Sequence, residues 1–196
     1  MTTDTDRRTW VESTGETEGL AWVVVANSMG HRCGYVSVPE DHPWFGCGYS
    51  DPVNPLMYAD DWENHIDSKV DVHGGITFAD KKPPVDGDFA EDWWFGFDCA
   101  HAGDARDPAI ASPDMLRMMP TYDGEVIRTK EYVERECADL ARQIVAAPTA
   151  YPFPTPEMIK AAGDEILRLE SEDGPFDLDE KARRILTAGI VAGKSE

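Results

Sequence analysis

The sequence predicts an α+β fold, with a mainly antiparallel sheet from the N-terminal half packed by helices from the C-terminal third. Three observations carry this expectation. The 196 residues are 41% hydrophobic and 10% aromatic, which is enough to bury a core. Residues 20–100 contain short β-branched or aromatic runs bounded by Gly, Pro, Asp and Asn, the punctuation of strands and loops. Beyond residue 128 the apolar positions recur with a helical period.

Taken in order, residues 1–19 are polar and rich in Thr, Glu and Asp, and are expected to be a flexible acidic N-terminus. Candidate strands cover residues 20–26, 33–38, 69–79 and 93–100. Between the second and third, residues 39–55 carry Pro39, Pro43, Pro52 and Pro55 with Gly46 and Gly48, the composition of a long structured loop. A shorter acidic connection with Pro83-Pro84 joins the last two strands. Thr129 caps an expected helix running to Ala146, with Tyr132, Val133, Cys137, Leu140, Ala141, Ile144 and Val145 on one apolar stripe. A Pro-rich break at 148–154 ends it. Thr155-Pro156-Glu157 starts a second helix and Asp177-x-x-Glu180 resembles a capping box for a third. The division expected is thus 1–19 flexible, 20–146 core domain, and 147–196 helical C-terminal extension.

Charge excludes whole classes of partner. With 38 acidic and 18 basic residues the net charge is −20, and the pI is near 4.4. Direct nucleic-acid binding is not expected, because a phosphate backbone repels such a surface and the basic doublets Arg7-Arg8, Lys81-Lys82 and Arg183-Arg184 are scattered. The longest apolar run is residues 20–26, so no membrane span is expected. The polar start Met1-Thr2-Thr3-Asp4 lacks the parts of a signal peptide, and the four cysteines form no C-x-x-C pair. A cytoplasmic protein with reduced thiols is the expectation.

All six Trp, all five His and three of the four Cys lie between Trp10 and His101, so chemistry is expected in the first half. Alternation in the last two strands puts Val70, Val72, Ile76 and Phe78 on one face, and Trp93, Phe95, Phe97 and Cys99 on the core face of the other. His73 and Asp98 then share a polar face floored by Trp94. A carboxylate that orients an imidazole holds a general base or a metal ligand in one tautomer. Gly74-Gly75 lets backbone or ligand approach closely. His101 and Asp104 follow at the strand end, where loops on a rigid scaffold meet ligands. Candidate catalytic residues are therefore His73, Asp98 and His101, and the same three are the best metal ligands in a chain without C-x-x-C or H-E-x-x-H spacing. Candidate ligand-binding residues are Arg32, Trp94 and Asp104: an isolated guanidinium for a phosphate or carboxylate, an indole for stacking, and a carboxylate. The plain alternatives are an ion-paired Arg32 and a His73 satisfied within a turn. Burial among Trp93, Phe95 and Phe97 argues against Cys99 as a nucleophile. No cofactor is identified, since G-x-G-x-x-G and P-loop patterns are absent.

The strings His73-Gly-Gly-Ile-Thr-Phe78, Trp93-Trp-Phe-Gly-Phe-Asp-Cys-Ala-His-Ala-Gly-Asp104 and Lys130-Glu-Tyr-Val-Glu-Arg-Glu-Cys-Ala-Asp-Leu-Ala141 resemble an uncharacterised family of small proteins encoded by tailed viruses of prokaryotes and by prophages. The similarity spans residues 31–145. It implies a viral accessory protein acting in the host cytoplasm, without an activity or catalytic residues to carry over. Three function classes follow. The first is a binding protein, a counter-defence factor under the resemblance, whose pocket holds a small polar or nucleotide-like ligand. The second is a hydrolase using His73, Asp98 and His101, with or without a metal. The third is an acidic, nucleic-acid-mimicking module that occupies a basic host protein.

Overall fold

The computed structural model describes residues 9–53, 62–89 and 92–147, together with Lys160 and Asp164. The chain divides into two units at Pro148. In the first, five strands form an antiparallel sheet in the order β1-β2-β3-β5-β4. They are β1 (Thr9–Thr17), β2 (Leu20–Asn27), β3 (Arg32–Val38), β4 (Phe78–Asp80) and β5 (Trp93–Asp98). A two-stranded parallel ribbon follows, β6 (Asp104–Ala105) with β7 (Val126–Ile127), separated by the short helix α1 (Pro113–Met118). Helix α2 (Lys130–Ala146) completes the unit. The α+β expectation holds, with the sheet dominant. Among the described residues no helix is long and apolar enough to cross a membrane.

Helix α2 begins where its sequence dictates, with the Thr129 side chain accepting from the Tyr132 N–H. Val133, Cys137, Leu140, Ala141 and Ile144 are buried against Leu20, Val24, Val36, Phe95 and Phe97 of the sheet. Val145, read onto the same stripe, is half exposed instead. The opposite sheet face has its own small core of Val23, Val25, Tyr35 and Trp94, packed by Val85 and Phe89. Coverage of both faces explains why β2 reads as the unbroken apolar run Val23-Val24-Val25.

Two expectations are corrected. Residues 9–17 of the N-terminal segment are not a flexible tail but an edge strand, closed onto β2 by Glu18-Gly19, both at positive φ (54° and 81°), a two-residue turn whose twist suits a hairpin. The register slips between Val11 and Ser13, a bulge at Glu12. The predicted strand 69–79 is a strand only from Phe78. Residues 66–69 form a short 3-10 turn, and Gly74 and Gly75 both adopt positive φ (71° and 82°), which breaks the pleat. The backbone before that turn is paired by helix side chains instead of a strand. Asp71 N–H donates to Gln143 Oε1 (2.6 Å), Gln143 Nε2 donates to the Asp71 carbonyl (2.9 Å), and His73 N–H donates to Glu136 Oε2 (2.8 Å). Val72 and Ile76 still reach the core, whereas Phe78 packs on the opposite face.

The helices expected from residues 155 and 177 lie outside the described residues. In the second unit Lys160 and Asp164 are helical and form an exposed ion pair at 2.9 Å.

Gly34 sets how closely α2 approaches the sheet. A Cβ there would stand 2.5 Å from both Cys137 Sγ and Phe97 Cε1. Gly34→Ala is expected to destabilise the first unit by about 2 kcal/mol through overpacking, measured as a lowered urea midpoint with the slope unchanged.

Candidate functional site

The bend at Gly74-Gly75 and the turn after β5 carry His73 and His101 to one place. Asp104, whose side chain is 1% exposed, accepts there from several donors. Its Oδ2 lies 2.8 Å from His73 Nε2, accepts the His101 backbone N–H at 3.1 Å, and stands 3.8 Å from His101 Nδ1. Its Oδ1 accepts from Arg128 Nε at 2.7 Å. His73 Nδ1 faces the Tyr132 hydroxyl at 3.0 Å, so the imidazole is pinned between a carboxylate and a phenol. The two imidazoles meet edge to face with centroids 5.4 Å apart. The absent side chain of Gly74 makes this possible, because a Cβ there would overlap the His101 ring. His101 Nδ1 is itself buried and has no hydrogen-bond partner among the described residues.

Electrostatics follow from this packing. Burial raises the Asp104 carboxyl, but Arg128, His73 and the His101 N–H outweigh it and hold the group below the usual carboxylate range. Burial pushes the Tyr132 phenol up, and Glu136 adds to the effect, so the hydroxyl stays protonated at neutral pH. Burial also pushes the Cys99 thiol up, which leaves it unactivated. On the helix side of His73 opens a cavity of about 710 Å³, lined also by Tyr132, Glu136, Asp139, Arg142 and Gln143.

The sequence-derived candidates separate. His73, His101 and Asp104 come together. Asp98 does not join them: its carboxylate accepts from Thr77 Oγ1 (3.1 Å) and the Ala100 N–H (3.0 Å), since the broken strand takes His73 off the face that Asp98 shares. Trp94 does not floor the site but is 2% exposed in the core of the other sheet face. Arg32 is no open anion fork. It is 5% exposed and held by Glu12 through Nε (2.5 Å) and Nη2 (3.0 Å), by Asp107 through Nη1 (2.7 Å) and by the Arg128 carbonyl (3.1 Å). Tyr132, Arg128 and Glu136 were not among the candidates. For Tyr132, which the periodicity assigns to the apolar stripe, and Glu136, the signal is the row Tyr132, Glu136, Asp139 and Gln143 at helical spacing along one side of that stripe; Arg128, which precedes α2, has no such signal.

No protein family, curated protein or solved structure matches the chain.

The Arg32 cluster generates an acid sensitivity. Burial raises the Asp107 carboxyl, but the Ala109 N–H and Arg32 outweigh it, leaving the group below its ordinary value. Its stabilisation is therefore complete above the unfolded value, near pH 4, and is lost as pH falls through the lower folded value. Asp107→Asn is expected to cost about 2 kcal/mol at pH 7 and to show a shallower loss of stability in acid than the parent chain. Urea melts between pH 7 and pH 3 check this, and parallel curves would refute it.

Proposed function

We propose that this protein binds a small polar ligand in the cavity beside His73. The observation that carries the reading is the cavity itself, whose volume of about 710 Å³ falls in the range of small-molecule sites and whose lining includes His73, a residue with its imidazole fixed on both nitrogens. The lining narrows the ligand class. Asp71, Glu136 and Asp139 bring three carboxylates against the single guanidinium of Arg142, which Asp139 already pairs at 3.2 Å. Such a wall suits a ligand rich in hydrogen-bond donors, an amine or an unphosphorylated nucleoside, and repels a phosphate. With Arg32 consumed by Glu12 and Asp107, the nucleotide-like reading contracts to the base and sugar. The string resemblance to proteins of tailed prokaryotic viruses supports a viral accessory role for this binding, sequestration of a small host molecule.

Hydrolysis is the second reading, favoured by the His73–Asp104 pair. A carboxylate 2.8 Å from Nε2 holds the proton on that nitrogen and leaves Nδ1 as the basic position, to which a substrate or water gains access by displacing the Tyr132 hydroxyl, with Asp104 in the part that the sequence assigns to Asp98.

One experiment addresses both. The protein is screened by thermal shift against nucleosides, amino acids and polyamines, and each hit is recovered and weighed by mass spectrometry. The expected outcome is a hit returned unchanged, with affinity reduced ~10-fold in Tyr132→Phe or Gln143→Ala. A hit returned cleaved, with cleavage abolished in His73→Gln, replaces binding by hydrolysis. Hits indifferent to all three substitutions, or no hit, overturn the cavity reading.

A further inference from the structure

We propose that His73, His101 and Asp104 form a binding site for a divalent transition-metal ion of the zinc class. Each offers one ligand atom, and the three atoms lie within 4.8 Å of one another. Two of the separations are fixed at 2.8 Å (His73 Nε2 to Asp104 Oδ2) and 3.8 Å (His101 Nδ1 to Asp104 Oδ2). Ligand atoms around a tetrahedral ion with bonds of about 2.1 Å stand about 3.4 Å apart, between those two values. Small side-chain rotations bring the donors to that spacing.

Three further features point to an ion and not to a plain hydrogen-bonded cluster. His101 Nδ1 is buried without a hydrogen-bond partner among the described residues, an omission that ordinarily costs stability and that a metal bond would remove. The outer partners are already in place. Arg128 holds Asp104 Oδ1, and Oδ2, which keeps the His101 N–H at 3.1 Å, turns its other lone pair from His73 Nε2 to the metal; metallation of Nε2 shifts the imidazole proton to Nδ1, where the Tyr132 oxygen 3.0 Å away accepts the hydrogen bond. Finally, two imidazoles and a carboxylate suit zinc or a neighbouring borderline ion more than magnesium or calcium, which favour all-oxygen sites. Three protein ligands leave a fourth position open, the pattern of zinc sites that hold water or substrate.

This site goes beyond the cavity reading and does not depend on it. The ion sits on the Nε2 side of His73, whereas the Nδ1 side faces Tyr132, a wall of the cavity.

The test is titration of the EDTA-stripped full chain with zinc by calorimetry, and with cobalt(II) followed by its visible d–d bands. The expected result is one ion per chain with a tetrahedral cobalt spectrum. Affinity should fall at least ~10-fold in His101→Ala, whose 37% exposed ring makes loss of folding a small risk, and in Asp104→Asn. Asp98→Asn serves as the control that retains affinity, and circular dichroism verifies each fold. No saturable binding by the parent chain overturns the proposal. So does binding unaltered in His101→Ala, and a loss confined to Glu136→Gln or Asp139→Asn assigns the ion to the cavity carboxylates and overturns it too. Failure of the nucleoside and amine screen with zinc binding intact rejects the cavity reading alone.

Discussion

The buried charge on Asp104 is what the site half of this molecule is organised around. A carboxylate with 1% of its side chain exposed is tolerable only if its oxygens are matched by donors, and the chain supplies them from three separate segments: His73 from the bend before β4, the His101 N–H from the turn after β5, and Arg128 from the approach to α2. Arg128 also joins this cluster to the other buried ion group, because its carbonyl accepts from Arg32 while its guanidinium serves Asp104. A continuous polar chain therefore runs from Glu12 on β1 through Arg32 and Arg128 to Asp104, His73 and Tyr132. Removing one member leaves a charge unmatched in a low-dielectric setting, so the network fixes the relative placement of elements that apolar contacts alone would let slide.

Where local and tertiary demands agree, the sequence was legible. Helix α2 runs from its Thr129 cap to Ala146 as its periodicity says, because the apolar stripe that makes the helix amphipathic is the stripe the sheet needs. The core strands β2 and β3 follow from their β-branched and aromatic runs between turn residues, and the buried face of β5 with Phe95 and Phe97 follows from alternation, for the same reason. The hairpin partner β1 was lost in composition: Thr, Glu and Ser read as a solvated tail, but an edge strand requires few apolar residues, and the informative signal was the Glu18-Gly19 pair.

The site was half legible, and the failure has one physical cause. Alternation arguments assume a continuous pleat, and the segment 69–77 has none. Helix side chains satisfy its backbone, with Gln143 using both ends of its amide on Asp71 as a neighbouring strand would. Once the pleat ends, His73 is free to turn from Asp98 towards Asp104, six residues further on. The identities of the imidazoles were thus readable from sequence, whereas the identity of their carboxylate required the fold. Arg32 illustrates the opposite case, since an isolated guanidinium among acids invites a ligand on paper and finds two carboxylates of its own chain in space.

The Glu12 bulge has a second consequence, concerning what this sheet refuses. An open sheet has two edges whose unpaired N–H and C=O groups are templates for another molecule's strand. Here β1, the long edge, is interrupted at Glu12, carries Glu12, Thr14 and Glu16 and so lacks a flat apolar ladder, while β4 on the far side is three residues long and ends at Asp80. The residue that interrupts the edge is the same one that clasps Arg32. A single irregularity thereby both closes an internal charge pair and denies a second chain an uninterrupted template, so resistance to strand-mediated aggregation is tied to the buried ion chemistry instead of resting on surface charge alone.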